Sequence, residues 1–121
     1  MRILLPLFFV LIFACEKNAD VIQSDSCGEY TIYDTWSGIT ATIEFDFAEG
    51  SYFLNHHIPG SIDGMITAYP CDLPSQFHSE GKRVIVSGNL FESDHLPAPD
   101  LGGQEIMKID IHQIEFQEDE R

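Results

Sequence analysis

Positive charge is scarce in this chain: six Lys and Arg stand against twenty Asp and Glu, for a formal net charge of −14. A field of that sign repels phosphate backbones, which argues against sequence-independent nucleic-acid binding, and it equally disfavours lying on an anionic membrane surface. Long apolar runs are missing as well. The longest, Ile3 to Ala14, falls well short of the roughly 20 residues that span a bilayer core, and Pro6 interrupts it. Only three cysteines occur, with neither a Cys-x-x-Cys pair nor the close Cys/His spacing of a zinc site, so dithiol redox and structural zinc chemistry have no signature. A glycine-rich phosphate loop and internal repeats are also absent. What is present suits a folded unit: 44% hydrophobic and 12% aromatic content can bury a core, and 121 residues leave room for one domain.

Met1-Arg2 opens an apolar stretch that closes on Ala14-Cys15. A short positive start, an apolar centre and a small residue at the cut are the parts of a secretory signal peptide. A cysteine directly after the small residue is what bacterial lipoprotein signals add. The expectation is cleavage after Ala14 and acylation of Cys15, with palmitate-class chains that hold the protein to a membrane without a spanning segment. Ile12, three positions before the cysteine, departs from the leucine more usual there. The expected organisation is a signal peptide over 1–14, a lipid anchor and polar tether over 15–26, a β domain over 27–116 and a charged tail over 117–121. The expected address is the cell envelope, at the outer membrane, with the domain in the periplasm or at the cell surface.

With Cys15 assigned to lipid, Cys27 and Cys71 remain. An exported protein meets an oxidising compartment, where two leftover cysteines usually join. The pair is therefore expected to form a disulfide; two separate structural thiols, or a reactive pair, stand as the alternatives.

Hydrophobic alternation defines the rest. Tyr30, Ile32 and Trp36 share one parity in a short run ended by Ser37-Gly38. Ile39, Ala41, Ile43, Phe45 and Phe47 alternate with Thr40, Thr42, Glu44 and Asp46, the pattern of a strand with one face buried. Strands are predicted over Ser51 to His56 and Ile62 to Tyr69, the latter with Gly64 as a bulge or close approach. Asp72 to Gly81 carries the only helical signal after the signal peptide: Asp72 to cap, Pro74 in the first turn, Leu73 and Phe77 on one face, Gly81 to leave. Lys82 to Glu92 is apolar on both faces and predicts a central strand. Ser93 to Gly103, with two prolines and two glycines, predicts a loop. In the last strand, Glu105 to Phe116, the apolar parity changes between Ile111 and Ile114, so one extra residue near His112-Gln113 is predicted as a β-bulge. Three strands, one short helix and two strands are the order of the OB-fold, a five-stranded, partly open Greek-key barrel.

Pro70-Cys71-Asp72-Leu73-Pro74-Ser75-Gln76-Phe77, followed by Gly81-Lys82-Arg83-Val84-Ile85-Val86-Ser87-Gly88-Asn89-Leu90, resembles the PCNLP..F…G..V..SG.L stretch of small Bacteroidetes-type lipoproteins. Asp72 stands where that pattern has Asn. The resemblance covers about a third of the domain by motif, and it implies an envelope location and a small β domain. It implies no activity.

Chemistry is harder to locate. His56 and His57 point to opposite faces if they lie in a strand, which prevents joint chelation. Asp94, His95 and Asp100 share a loop without the spacing of a calcium site. Gly60-Ser61-Ile62-Asp63-Gly64 does not match the nucleophile-elbow pattern and precedes no helix. Neither a metal nor a cofactor is expected. The aromatics Trp36, Tyr52, Phe53 and Tyr69 are the candidate ligand face, as a stacking platform of the kind OB-folds offer, with core packing as the competing role for each. The expected function is a non-catalytic binding or accessory module, with a protein or glycan partner and no nucleic acid. A small hydrolase or metal-dependent enzyme, or a protein-directed inhibitor, is the alternative.

Overall fold

The computed structural model describes residues 21–62, 64–99 and 103–118. The signal peptide and Cys15 lie outside the described residues. Among those described, no helix is long and apolar enough to cross a membrane.

Seven strands make up the described structure. A two-stranded hairpin of β1 (Val21–Ser24) and β2 (Gly28–Thr31) precedes a closed barrel formed by β3 (Asp34–Asp46), β4 (Ser51–His57), β5 (Met65–Pro70), β6 (Arg83–Phe91) and β7 (Gln104–Phe116). Around the barrel the order is β3-β4-β5-β7-β6, and β6 pairs back onto β3 to close it. Every pairing is antiparallel except β5 with β7, which runs parallel from Met65↔Gln104 to Pro70↔Ile109. This is a small OB-fold-like barrel, as the element order predicts.

Inward residues come from each strand in turn: Ile43, Leu54, Ala68, Val84, Val86, Leu90 and Ile109 are almost fully excluded from solvent. The two runs predicted around Trp36 and Ile39 to Phe47 are one strand. Trp36 and Ile39 differ in parity, yet both face the core, because the register shifts between them at Ser37-Gly38. Gly38 has φ of 60°, a left-handed conformation open to glycine at little cost, and its N–H donates to Ser87 Oγ at 2.8 Å. The bulge predicted in the last strand is also present. Ser87 faces Gln113 and Gly88 faces Ile111, leaving His112 as the extra residue.

Three expectations are corrected. Instead of a helix of one or two turns over Asp72 to Gly81, the chain makes a single 3-10 turn, Ser75–Phe77, whose N-cap is Pro74 and not Asp72. Pro74 holds an extended backbone immediately before the turn, at φ −55° and ψ 143°, so helical geometry starts too late to propagate. The apolar face survives the correction: Leu73 and Phe77 are buried in the core, and Phe77 packs on Phe116 with ring centres 4.7 Å apart. Gly64 lies just before β5 rather than within it. Its close approach is nevertheless observed, since its N–H donates to Ser61 Oγ at 2.7 Å and an added Cβ would crowd that side chain.

The third correction concerns the tether. Val21–Ser24, expected to be part of a polar linker, forms β1 and pairs with β2 from Val21↔Thr31 to Ser24↔Gly28. Its exposed and half-buried residues alternate, a period-2 signal too short and too polar to stand out in the sequence. Cys27 and Cys71 form the expected disulfide, with Cα atoms 5.3 Å apart, and so bind this hairpin to the end of β5. Tyr30 supplies the second attachment. Its ring stacks on Phe91 at 4.0 Å, its hydroxyl donates to Asp110 Oδ2 at 2.7 Å, and Asn89 Nδ2 donates to that hydroxyl at 3.1 Å.

Candidate functional site: a groove on the outer barrel face

Side chains that alternate with the core residues on β3, β4, β5 and β7 meet on the outside of the barrel. Three hydrogen bonds run across these four strands. Asn55 Nδ2 donates to Glu44 Oε2 at 3.0 Å, the Thr67 hydroxyl donates to Asn55 Oδ1 at 2.6 Å, and Gln104 Nε2 donates to Thr67 Oγ1 at 2.8 Å. Thr67 is only 1% exposed, so these bonds replace the water it has lost. Beside this row Phe53 and Tyr69 pack with ring centres 5.2 Å apart.

Thr67 and Gln104 of this row, with Phe53, Tyr69 and Ile106, line a groove of about 390 Å³. One wall is the turn between β3 and β4, from Phe45 to Glu49; the other is Pro97 and Ala98 of the loop between β6 and β7. OB-folds bind oligonucleotides and oligosaccharides on the face of their second and third strands, between the loop joining strands one and two and the loop joining strands four and five. The groove occupies that position in this barrel.

Its first wall is held by Asp46. Oδ1 accepts from the backbone N–H groups of Ala48 at 2.9 Å and Glu49 at 3.1 Å, closing the turn, while Oδ2 accepts from the Tyr69 hydroxyl at 2.8 Å. These donors, Tyr69 first, hold the Asp46 carboxyl below its ordinary value. Phe47 stands on this wall at 82% exposure, supported edge-on by Phe45 at 4.9 Å. A phenylalanine kept in water by a carboxylate-closed turn is the feature of this groove that core packing does not explain.

The four aromatics expected to form a ligand face do not stay together. Phe53 and Tyr69 lie in the groove. Trp36 is a core residue, 4% exposed and edge-on to His56 at 5.7 Å. Tyr52 points to the opposite side of β4 from Phe53, where it packs against the core and stacks on His78 at 4.7 Å. Phe47 and Asp46 take their places. Their signal in the sequence was Asp46 at the head of the Glu49-Gly50 turn, a residue type that bonds backbone amides two and three positions on. It also leaves Phe47 past the last pairing of the strand.

A larger hollow of about 640 Å³ lies between the hairpin and the barrel, beside the disulfide. Its central ring, Tyr30, is already stacked on Phe91 and its hydroxyl is bonded to Asp110 and Asn89, so the hollow is the seam of a docked element. The histidines are dispersed. His56 Nδ1–H donates to the Thr40 carbonyl at 2.9 Å, His78 Nε2–H donates to that of Leu73 at 2.8 Å, and His112 Nε2 stands 3.7 Å from Asp110. Among the described residues, no three His, Cys, Asp or Glu side chains are gathered as a metal would need. No protein-family model matches the chain, and no curated protein matches it.

Proposed function

We propose that this chain is a lipid-anchored envelope protein of the Bacteroidetes lipoprotein type, whose barrel acts as a non-catalytic binding module through the groove bounded by Phe47 and Pro97. The supporting observation is Phe47, exposed in the groove that Phe53 and Tyr69 also line, on a turn that Asp46 closes. Apolar surface held out in water at the mouth of a groove marks contact with a partner. The anchor would be Cys15. Five residues separate it from Val21, so the domain would stand within about 20 Å of the acyl chains at full extension.

Two measurements test this reading. Mass spectrometry of the amino-terminal peptide should find acylated Cys15, and Cys15→Ala should leave the membrane fraction; an unmodified mature Cys15 refutes the anchor. Capture from envelope extracts by the wild-type chain should be lost with Phe47→Ser, a change at a solvent-exposed site. Equal capture by both, or turnover of a substrate by the purified protein, refutes the binding-module reading.

A further inference from the structure

We propose that the groove takes a cationic side chain, arginine or lysine, presented by an extended segment of a partner protein. This inference rests on the groove being the binding site and specifies its ligand chemistry. Two observations support it. The acidic side chains lining the groove are Asp46 and Glu49, and no described Lys, Arg or His lines it. The groove's hydroxyls have no hydrogen left to give, because Thr67 donates to Asn55 and Tyr69 donates to Asp46. Carboxylate oxygens retain lone pairs beyond those in use, so the turn can still accept hydrogen bonds. A ligand that donates hydrogen bonds therefore finds acceptors on this wall, and a donor that also carries positive charge gains from both carboxylates.

The aromatic walls fit the same ligand. Phe47, Phe53 and Tyr69 line the same groove as Asp46, and a guanidinium or ammonium within about 6 Å of a ring centre is attracted by the ring quadrupole. The net charge of −14 adds a long-range field that draws a basic segment in. A neutral glycan would also stack on these rings and could donate its hydroxyls to the carboxylates, but it would gain nothing from their charge.

The test uses the full chain extracted in a nonionic detergent, labelled with nitrogen-15 and titrated with two probes. These are the capped peptide acetyl-Arg-Gly-Arg-amide and the neutral oligosaccharide chitohexaose. Saturable amide shifts confined to Phe45–Glu49, Phe53 and Tyr69 are expected with the peptide. Its affinity should fall at least fivefold in Glu49→Gln and in Phe47→Ser, both at exposed positions, and stay unchanged in Glu29→Gln on the hairpin. Salt should weaken it. Shifts spread over the whole acidic surface, or an affinity insensitive to Phe47→Ser, overturn the proposal. Groove shifts with chitohexaose and none with the peptide overturn the cation while leaving the groove as the binding site. No groove shifts with either probe overturn the cation reading, and loss of partner capture by Phe47→Ser then shows separately whether the groove binds at all.

Discussion

Tyr30 and Asp110, eighty residues apart in the chain, share a 2.7 Å hydrogen bond in a part of the molecule closed to water. Their contact fixes the amino-terminal hairpin against the outside of the barrel, and Asn89 completes it by donating to the same hydroxyl. Tyr30→Phe keeps the ring stack on Phe91 but leaves the Asp110 carboxylate and the Asn89 amide each short of a buried partner. Loss of a buried partner of this kind costs about 1–3 kcal/mol, so chemical denaturation should show a destabilisation of that order. Burial first, and then the bond to Asp110, raise the tyrosine's pKa above its ordinary value of 10.0. Because the folded value lies above the unfolded one, this contribution is complete below pH 10 and disappears as pH climbs through the folded value. The alkaline limb of a stability profile should accordingly flatten in the Tyr30→Phe variant.

The second attachment of the hairpin is covalent. Cys27 and Cys71 are separated by 44 positions, and closing a loop of that size restricts the unfolded chain by about 4 kcal/mol in the chain-entropy description. Replacing both cysteines with alanine should lower stability by nearly that amount and raise amide exchange first in Val21–Thr31. A loss spread evenly over the barrel, with the hairpin no more labile than β6, would contradict the view that the disulfide serves to dock the hairpin.

Alternation made the barrel legible. Ile39, Ala41 and Ile43 repeat every second residue, and a one-residue slip would turn that whole set to water, so the burial pattern also fixes pairing. The bulge at His112 was legible for the same reason, since it repairs a visible change of parity. Val21–Ser24 was not, because a four-residue strand that docks through Cys27 and Tyr30 depends on partners at Cys71, Asp110 and Asn89 that no local pattern reveals. The helix between Asp72 and Gly81 was legible in place but not in length, being a single 3-10 turn. Its caps and apolar spacing were locally sound, but Leu73 and Phe77 reach the core through one short turn, and Pro74 admits nothing longer. Only half of the ligand face was legible. Trp36 and Phe53 look equivalent as aromatic strand residues, and the bulge at Gly38 together with strand parity sends the first inward and the second outward.

Gly88 carries a cost that its neighbours do not. It sits opposite the bulge at His112, paired with Ile111 on one side and Trp36 on the other. A Cβ there would collide with the backbone carbonyl of Asp110 and lie 3.0 Å from the Ile111 Cα, atoms that cannot move aside as a flexible side chain would. Gly88→Ala should therefore destabilise by about 1–3 kcal/mol through overpacking, even though alanine suits most strand positions better than glycine. The same substitution at Gly38 strains the backbone instead, because φ is 60° and nothing lies within 4 Å of the added carbon. A crystal structure of each variant separates the two mechanisms: displaced β7 backbone for Gly88→Ala, an altered turn with β7 unmoved for Gly38→Ala.

Acid should loosen the groove before it unfolds the barrel. Asp46 is the group responsible, because one carboxylate closes the Phe47–Glu49 turn through two backbone amides and ties it to Tyr69. Its folded pKa lies below the ordinary 3.8, so the charged form is the one the fold favours. The stabilisation is then complete above pH 3.8 and is lost as pH falls through the folded value. Asparagine at this position keeps an oxygen for the two amides but removes the charge from the Tyr69 bond. In Asp46→Asn the amide shifts of Ala48, Glu49 and Tyr69 should stop responding to pH in that window, while the core amides of Ile43 and Leu54 stay as they are in the wild type. Phe47 lies in this turn, in the groove that Phe53 and Tyr69 also line. Its ring signals should broaden in acid together with those amides, and ring signals unchanged below the Asp46 transition would show that the wall stands without the carboxylate.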